Sequence, residues 1–127
     1  MSDKSVAQKL GMKPGKTLLV QSAPLSVSKL LGEVPKDSTW VDAGKGPFPI
    51  VLWFVENYAA MIKLLPAMKK LLEKDGAFWI AYAKGGSPKA TDINRDSIRE
   101  YVIQHGLDTV AQIAIDADWS ALRCKLV

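Results

Sequence analysis

Hydrophobic positions along the chain alternate between short unbroken runs and longer stretches in which they recur every three or four residues. These are the patterns of buried strands and amphipathic helices. Residues 16–21 (KTLLVQ), after the turn signal Pro14-Gly15, predict a first strand buried on both faces. Residues 38–42 (STWVD) predict a second, closed by Ala43-Gly44-Lys45-Gly46-Pro47. Residues 50–55 (IVLWFV) form the strongest strand signal, continuous in the manner of a central parallel strand. Residues 77–83 (AFWIAYA) predict a fourth strand. Residues 110–115 and 121–126 follow as a closing pair, joined by a connection short enough to make them antiparallel.

Between these runs the spacing turns helical. Val6, Leu10 and Met12 mark a short N-terminal helix or arm over residues 1–13, leading into an α/β core over 16–127. Residues 26–31 carry a weaker helical pattern that ends at Gly32 before Pro35. Tyr58, Met61, Ile62, Leu65, Met68, Leu71 and Leu72 make one stripe, interrupted by Pro66, so a kink or two helices meeting near Leu65 is expected, with Asp75-Gly76 ending it. Asn94 is a fitting N-cap for a last helix over residues 95–104, and Gly106 terminates it. Strands alternating with helices predict an α/β fold: three layers around a mostly parallel sheet, with a C-terminal antiparallel pair.

The chain's 127 residues fit one domain with one core. Lys and Arg outnumber Asp and Glu by 17 to 13, but the excess is spread along the chain. Nucleic-acid domains concentrate basic charge on one face, so this spread argues against such a partner while permitting a small anionic ligand. Cys124 has no second cysteine to pair with, and the stretch before Leu10 has no apolar core of a secretion signal. Pro49 interrupts the longest apolar run. A cytoplasmic protein with no membrane span is the expectation.

Leu10-Gly11-Met12-Lys13-Pro14-Gly15-Lys16 before the first strand, Asp75-Gly76-Ala77-Phe78-Trp79-Ile80 entering a later one, and the antiparallel end together resemble class I S-adenosylmethionine-dependent methyltransferases. More narrowly, the chain resembles a bacterial family of small proteins catalogued as a domain of unknown function. That likeness rests on LG-x-KPG at the start, on Lys84, Gly85, Asp92 and Ile93, and on Asp118-Trp119-Ser120 followed by Leu122-Arg123. The resemblance implies a Rossmann-like plan. The methyltransferases follow their first strand with an acidic residue and a glycine-rich turn against the cofactor. Here that segment is Gln21-Ser22-Ala23-Pro24-Leu25, with side chains in place of glycine and a proline that offers no N–H. No cofactor is therefore implied.

In an open α/β sheet, ligands bind beyond the carboxyl ends of the strands. That rule selects Ser22, Asp42 and Glu56 after the first three strands, residues 84–89 after the fourth, and 116–120 after the fifth. Asp42 stands where a ribose-binding acid would, but a strand-ending Asp also satisfies its own turn. Lys84, Ser87 and Lys89 around Gly85-Gly86, with Arg95 nearby, could hold a phosphate or carboxylate or form a plain solvated loop. Asp116, Asp118 and Trp119, followed by Ser120, could face a polar ligand or form a tight turn whose Trp caps the core. His105 suits a helix C-terminus. With no second His and no cysteine pair, no metal site is read, and no G-x-S-x-G elbow is present. The remaining aromatics read as core, with Trp40 the one to watch near a sheet edge.

Two functions stay open. One is a non-enzymatic binding or interaction domain on a methyltransferase-like scaffold, its partner a protein or a second copy packed on the Pro66 helix. The other is a binder or enzyme acting on a nucleotide-like or anionic small molecule at the carboxyl edge.

Overall fold

The computed structural model describes residues 5–23, 26, 29, 31, 32, 34, 36–86, 88 and 91–126. In chain order these contain α1 (Val6–Lys9), β1 (Thr17–Gln21), β2 (Thr39–Val41), β3 (Phe48–Phe54), α2 (Tyr58–Lys70), β4 (Leu72–Ala83), α3 (Arg95–Ile103), β5 (Leu107–Ala114) and β6 (Trp119–Leu126). Lys29 and Leu31 are helical, and the rest of the short helix expected over 26–31 falls largely outside the described residues. No described helix is long and apolar enough to cross a membrane.

The strands form one six-stranded sheet in the order β2-β1-β3-β4-β6-β5. β2, β1, β3 and β4 run parallel, while β6 runs antiparallel to both β4 and β5. This is the mostly parallel α/β sheet with an antiparallel C-terminal pair that the pattern of runs predicts.

Alternation along each strand divides the core in two. On one face Leu18, Val20, Leu52, Phe54, Trp79 and Ala121 pack with Val6, Ala7 and Leu10 of the N-terminal segment and with Leu31. On the other, Leu19, Val51, Trp53, Phe78, Ile80 and Leu122 pack with Met61, Leu65 and Met68 of α2 and Ile98 and Val102 of α3. Trp53 and Phe78 stack there with ring centroids 6.2 Å apart. The N-terminal segment is pinned by Trp79, whose Nε1 donates to the Leu10 carbonyl at 3.1 Å.

Several element boundaries differ from the sequence expectation: β3 begins at Phe48 rather than 50, β5 at Leu107 rather than 110 and β6 at Trp119 rather than 121. Of the two alternatives at Pro66, a kink or two helices, the second is excluded, because α2 runs unbroken from Tyr58 to Lys70 with Pro66 inside it. Its buried stripe, Met61, Leu65 and Met68, continues past the proline, which is exposed. The carbonyl that Pro66 leaves without a helical donor belongs to Ile62, a residue 43% exposed to solvent. Asp75-Gly76, expected to end the helix, lies inside β4. Leu72 already pairs with Phe48, and pairing resumes at Ala77 opposite Ile50, so the intervening residues bulge out of the ladder. Gly76 is required where the bulge re-enters: a Cβ there would come within 2.9 Å of the Glu73 and Pro49 carbonyl oxygens.

β2 is the outer strand, and the chain crosses from it over β1 to β3 in only six residues, 42–47. Gly46, at φ 65°, makes the crossing possible; a Cβ there would approach the Leu71 carbonyl oxygen to 3.0 Å. The consequence for function is topological. From β1 the chain goes first to one side and then to the other, so β1 and β3 flank the point where the strand order reverses.

Candidate functional site

The carboxyl ends of β1 and β3 part around a cleft of about 520 Å³ at that reversal point, a volume within the range of small-molecule sites. Trp53 and Phe54 close β3 and form one wall, and Ala60 and Leu64 of α2 form another. Trp119, at the start of β6, contributes a third aromatic side chain, its ring meeting Phe54 edge to face at 5.3 Å. The polar rim is Ser22, Glu56 and Thr91.

Local chemistry fixes these elements. Asn57 caps α2, its side chain accepting from Ala60 N at 2.8 Å. The segment before α3 folds back onto the same corner: Thr91 Oγ1 donates to the Glu56 carbonyl at 2.7 Å, and Asp92 Oδ1 accepts from Tyr58 N at 2.8 Å. Ile93 anchors it in the core.

Two features of the cleft are unusual. Ser22, in the turn after β1, has φ 62°, a left-handed conformation that non-glycine residues adopt at a cost. Trp119 is 7% exposed, and its buried indole Nε1–H finds no acceptor among the described residues. Most buried donors are satisfied, so this orphan stands out.

A second cavity, a groove of about 430 Å³, lies farther along the same edge between β4, β5, β6 and the first turn of α3. Lys84 lines it, held by its own contacts: its backbone N donates to the Asp118 carbonyl at 2.8 Å and its Nζ to the Asp116 carbonyl at 2.7 Å. Tyr82, Asn94, Arg95, Asp96, Gln112 and Ser120 complete its polar lining.

Of the residues singled out from sequence, Ser22 and Trp119 line the cleft, as does Glu56, and Lys84 and Arg95 line the groove. Asp116 and Asp118 sit beside Lys84 but line neither cavity. The Asp116 carboxylate caps its own turn, accepting from Asp118 N at 2.8 Å and Trp119 N at 2.9 Å. Asp42 is exposed, one residue past the Val41–Leu19 pair on the outer strand, so β1 stands between it and the cleft. Ser87 and Lys89 lie outside the described residues. His105 is exposed, its ring 4.2 Å from that of Tyr101, and Lys69 Nζ donates to its carbonyl. Trp40 is half-buried against the core. Among the described residues no cluster of His, Cys, Asp and Glu could hold a metal ion.

Sequence reasoning did not single out Thr91 or Gln112, and it read Tyr82, Trp53 and Phe54 as core; all three are buried, and each also lines a cavity. The available signal for Trp53 and Phe54 was position: they end the most apolar strand, where side chains reach the ligand edge of an α/β sheet.

This sheet order, with the cleft at its reversal point, defines a methyltransferase-like α/β fold. The glycopeptide N-methyltransferase MtfA superposes with a TM-score of 0.62 over 98% of this chain and 97% of the enzyme, at 15% identity. Its complex with sinefungin gives 0.60 over 95% and 83%, at 13% identity. The Burkholderia thailandensis 1,6-didemethyltoxoflavin-N1-methyltransferase, with 1,6-didemethyltoxoflavin and S-adenosylhomocysteine bound, gives 0.57 over 96% and 75%, at 11% identity. Likeness at such identities is a likeness of fold. No curated protein matches the chain in sequence. A family model does: the chain belongs to the proteins of unknown function designated DUF3052, which it matches over residues 35–126.

Proposed function

We propose that this protein is a binding module that holds a small ring-bearing molecule, of about nucleoside size, in the cleft between β1 and β3 without catalysing methyl transfer. The observation that carries this reading is the aromatic wall of Trp53, Phe54 and Trp119 around a 520 Å³ cleft at the reversal point of the sheet. A flat ligand there gains ring contacts from Trp53, Phe54 and Trp119.

Two of the fold's relatives carry sinefungin and S-adenosylhomocysteine, both nucleoside compounds, which supports the size and shape of the expected ligand. The turn after β1 argues against shared catalysis. Ser22 and Ala23 put side chains where a glycine turn would let the backbone approach a cofactor, and Ala23 packs against the core instead. Ligand recognition here rests on ring walls and on the Ser22, Glu56 and Thr91 rim.

A thermal-shift screen with S-adenosylmethionine, S-adenosylhomocysteine, adenosine, adenine nucleotides and sugar phosphates tests the reading. A ligand at a hundred times its dissociation constant adds about 2.7 kcal/mol, several degrees for a chain this size. The expected result is a shift with a nucleoside compound and no turnover of S-adenosylmethionine. Turnover, or a flat screen at millimolar ligand, contradicts it.

A further inference from the structure

The groove has a construction of its own. Its floor is Tyr82 and Ser120, cross-strand partners that are each 5% exposed. Burial pushes the Tyr82 phenol above its ordinary pKa, against a smaller opposing pull from Arg95 and Ser120, so it stays a neutral hydroxyl at physiological pH. Gln112 Nε2 donates to that hydroxyl at 3.0 Å. Its amide is thereby fixed with the carbonyl oxygen free, and Arg95 Nη1 donates to that oxygen at 3.4 Å.

The Tyr82 hydroxyl already has Gln112 as its partner. What Gln112 adds is a placed guanidinium at the rim. Arg95 also meets Asp96, Nε to Oδ1 at 3.7 Å, but both side chains are exposed and water screens the pair. Five N–H donors on a planar fork exceed these two contacts. Lys84, normally a mobile side chain, is tied to the neighbouring Asp116 carbonyl. Two cations, two hydroxyls and two amides thus line a cavity of about 430 Å³, against one carboxylate.

We propose that this groove is a second site, separate from the cleft and independent of its ligand, for the oxyanion group of a small molecule, a carboxylate or a phosphate. Arg95 binds the oxyanion through paired N–H donors. Lys84 adds charge, and Tyr82 and Ser120 face it from the floor. Asp96 weakens the site and tunes it toward anions that fill the arginine fork.

The test is an NMR titration of isotope-labelled protein with inorganic phosphate, with acetate, and with sodium chloride at matched ionic strength. The backbone amides of Gly85, Arg95 and Gln112 report the groove, and those of Ser22 and Glu56 report the cleft. The expected result is saturable shifts confined to the groove with phosphate or acetate, the tighter of the two identifying the oxyanion. Binding should weaken about tenfold or more in Arg95→Gln, strengthen in Asp96→Asn, and hold in Lys45→Gln, which removes the same charge elsewhere. Shifts equal to those with chloride, shifts that never saturate, or saturation undiminished in Arg95→Gln overturn the proposal.

Discussion

The Phe54 ring meets the Trp119 indole edge to face, with centroids 5.3 Å apart and planes at 76°. The contact joins the end of β3 to the start of β6 across the intervening β4, and both residues wall the cleft. Trp119 is therefore a packing residue whose ring sits in an otherwise satisfied core while its polar atom is left over.

Two tryptophans on the same sheet face make a matched pair for testing this. Trp79 Nε1 donates to the Leu10 carbonyl, whereas Trp119 Nε1 has no acceptor among the described residues. Trp79→Phe removes a donor from a buried acceptor and should cost about 1–3 kcal/mol beyond any packing loss. Trp119→Phe removes an orphan and should leave stability within about 1 kcal/mol of the parent. Urea denaturation of the two variants checks the difference.

Ser22→Gly should raise stability by up to about 1 kcal/mol, because glycine occupies the left-handed conformation at φ 62° without the penalty a Cβ imposes. The gain is read as a higher Tm. A drop would mean that the serine side chain makes a contact worth more than the strain.

Gly76→Ala should destabilise by about 1–3 kcal/mol or more, since the new methyl would meet backbone oxygens of Glu73 and Pro49 that cannot move without breaking the β3–β4 register. The bulge containing Asp75, itself at φ 65°, should then exchange its amide hydrogens faster than the β4 core.

The same bulge shows where sequence reading stops. Residues 50–55 and 77–83 announce central strands because both faces are buried, and a continuous apolar run is the only pattern such a strand can have. Leu72 does not announce itself. Its spacing continues the α2 stripe, and only pairing with Phe48 makes it strand. Pro66 was legible as a disruption, but its tolerance depends on the exposed carbonyl at Ile62, a tertiary fact. At the site, the carboxyl-edge rule found Ser22, Glu56 and Lys84 without any motif. It could not tell that β1 would screen Asp42 from the cleft, because that depends on which strand lies outside. Gln112 was invisible for a related reason. Its role exists only because β5 folds back beside Tyr82.

Alkaline pH should weaken the fold. Burial, reinforced by Asp108, pushes the Cys124 thiol up to about 12. The stabilisation from its protonated form is complete below the unfolded thiol value of about 8.5 and is lost as pH rises toward the folded value, because the unfolded chain releases the proton first. Tyr82, also raised by burial, acts in the same direction. The urea midpoint should fall between about pH 8 and pH 11, and Cys124→Ala should flatten part of that slope. The native thiol should resist alkylation at neutral pH.

The most direct measurement is a titration of intrinsic tryptophan fluorescence with S-adenosylhomocysteine and adenosine, since two of the four tryptophans, Trp53 and Trp119, line the cleft. A binding module at this edge gives a saturable change that Leu64→Arg, which fills the cleft from the α2 side, abolishes while the fold remains intact by circular dichroism. A signal that stays linear in ligand, or saturates identically in Leu64→Arg, would contradict the assignment of the cleft as the binding site.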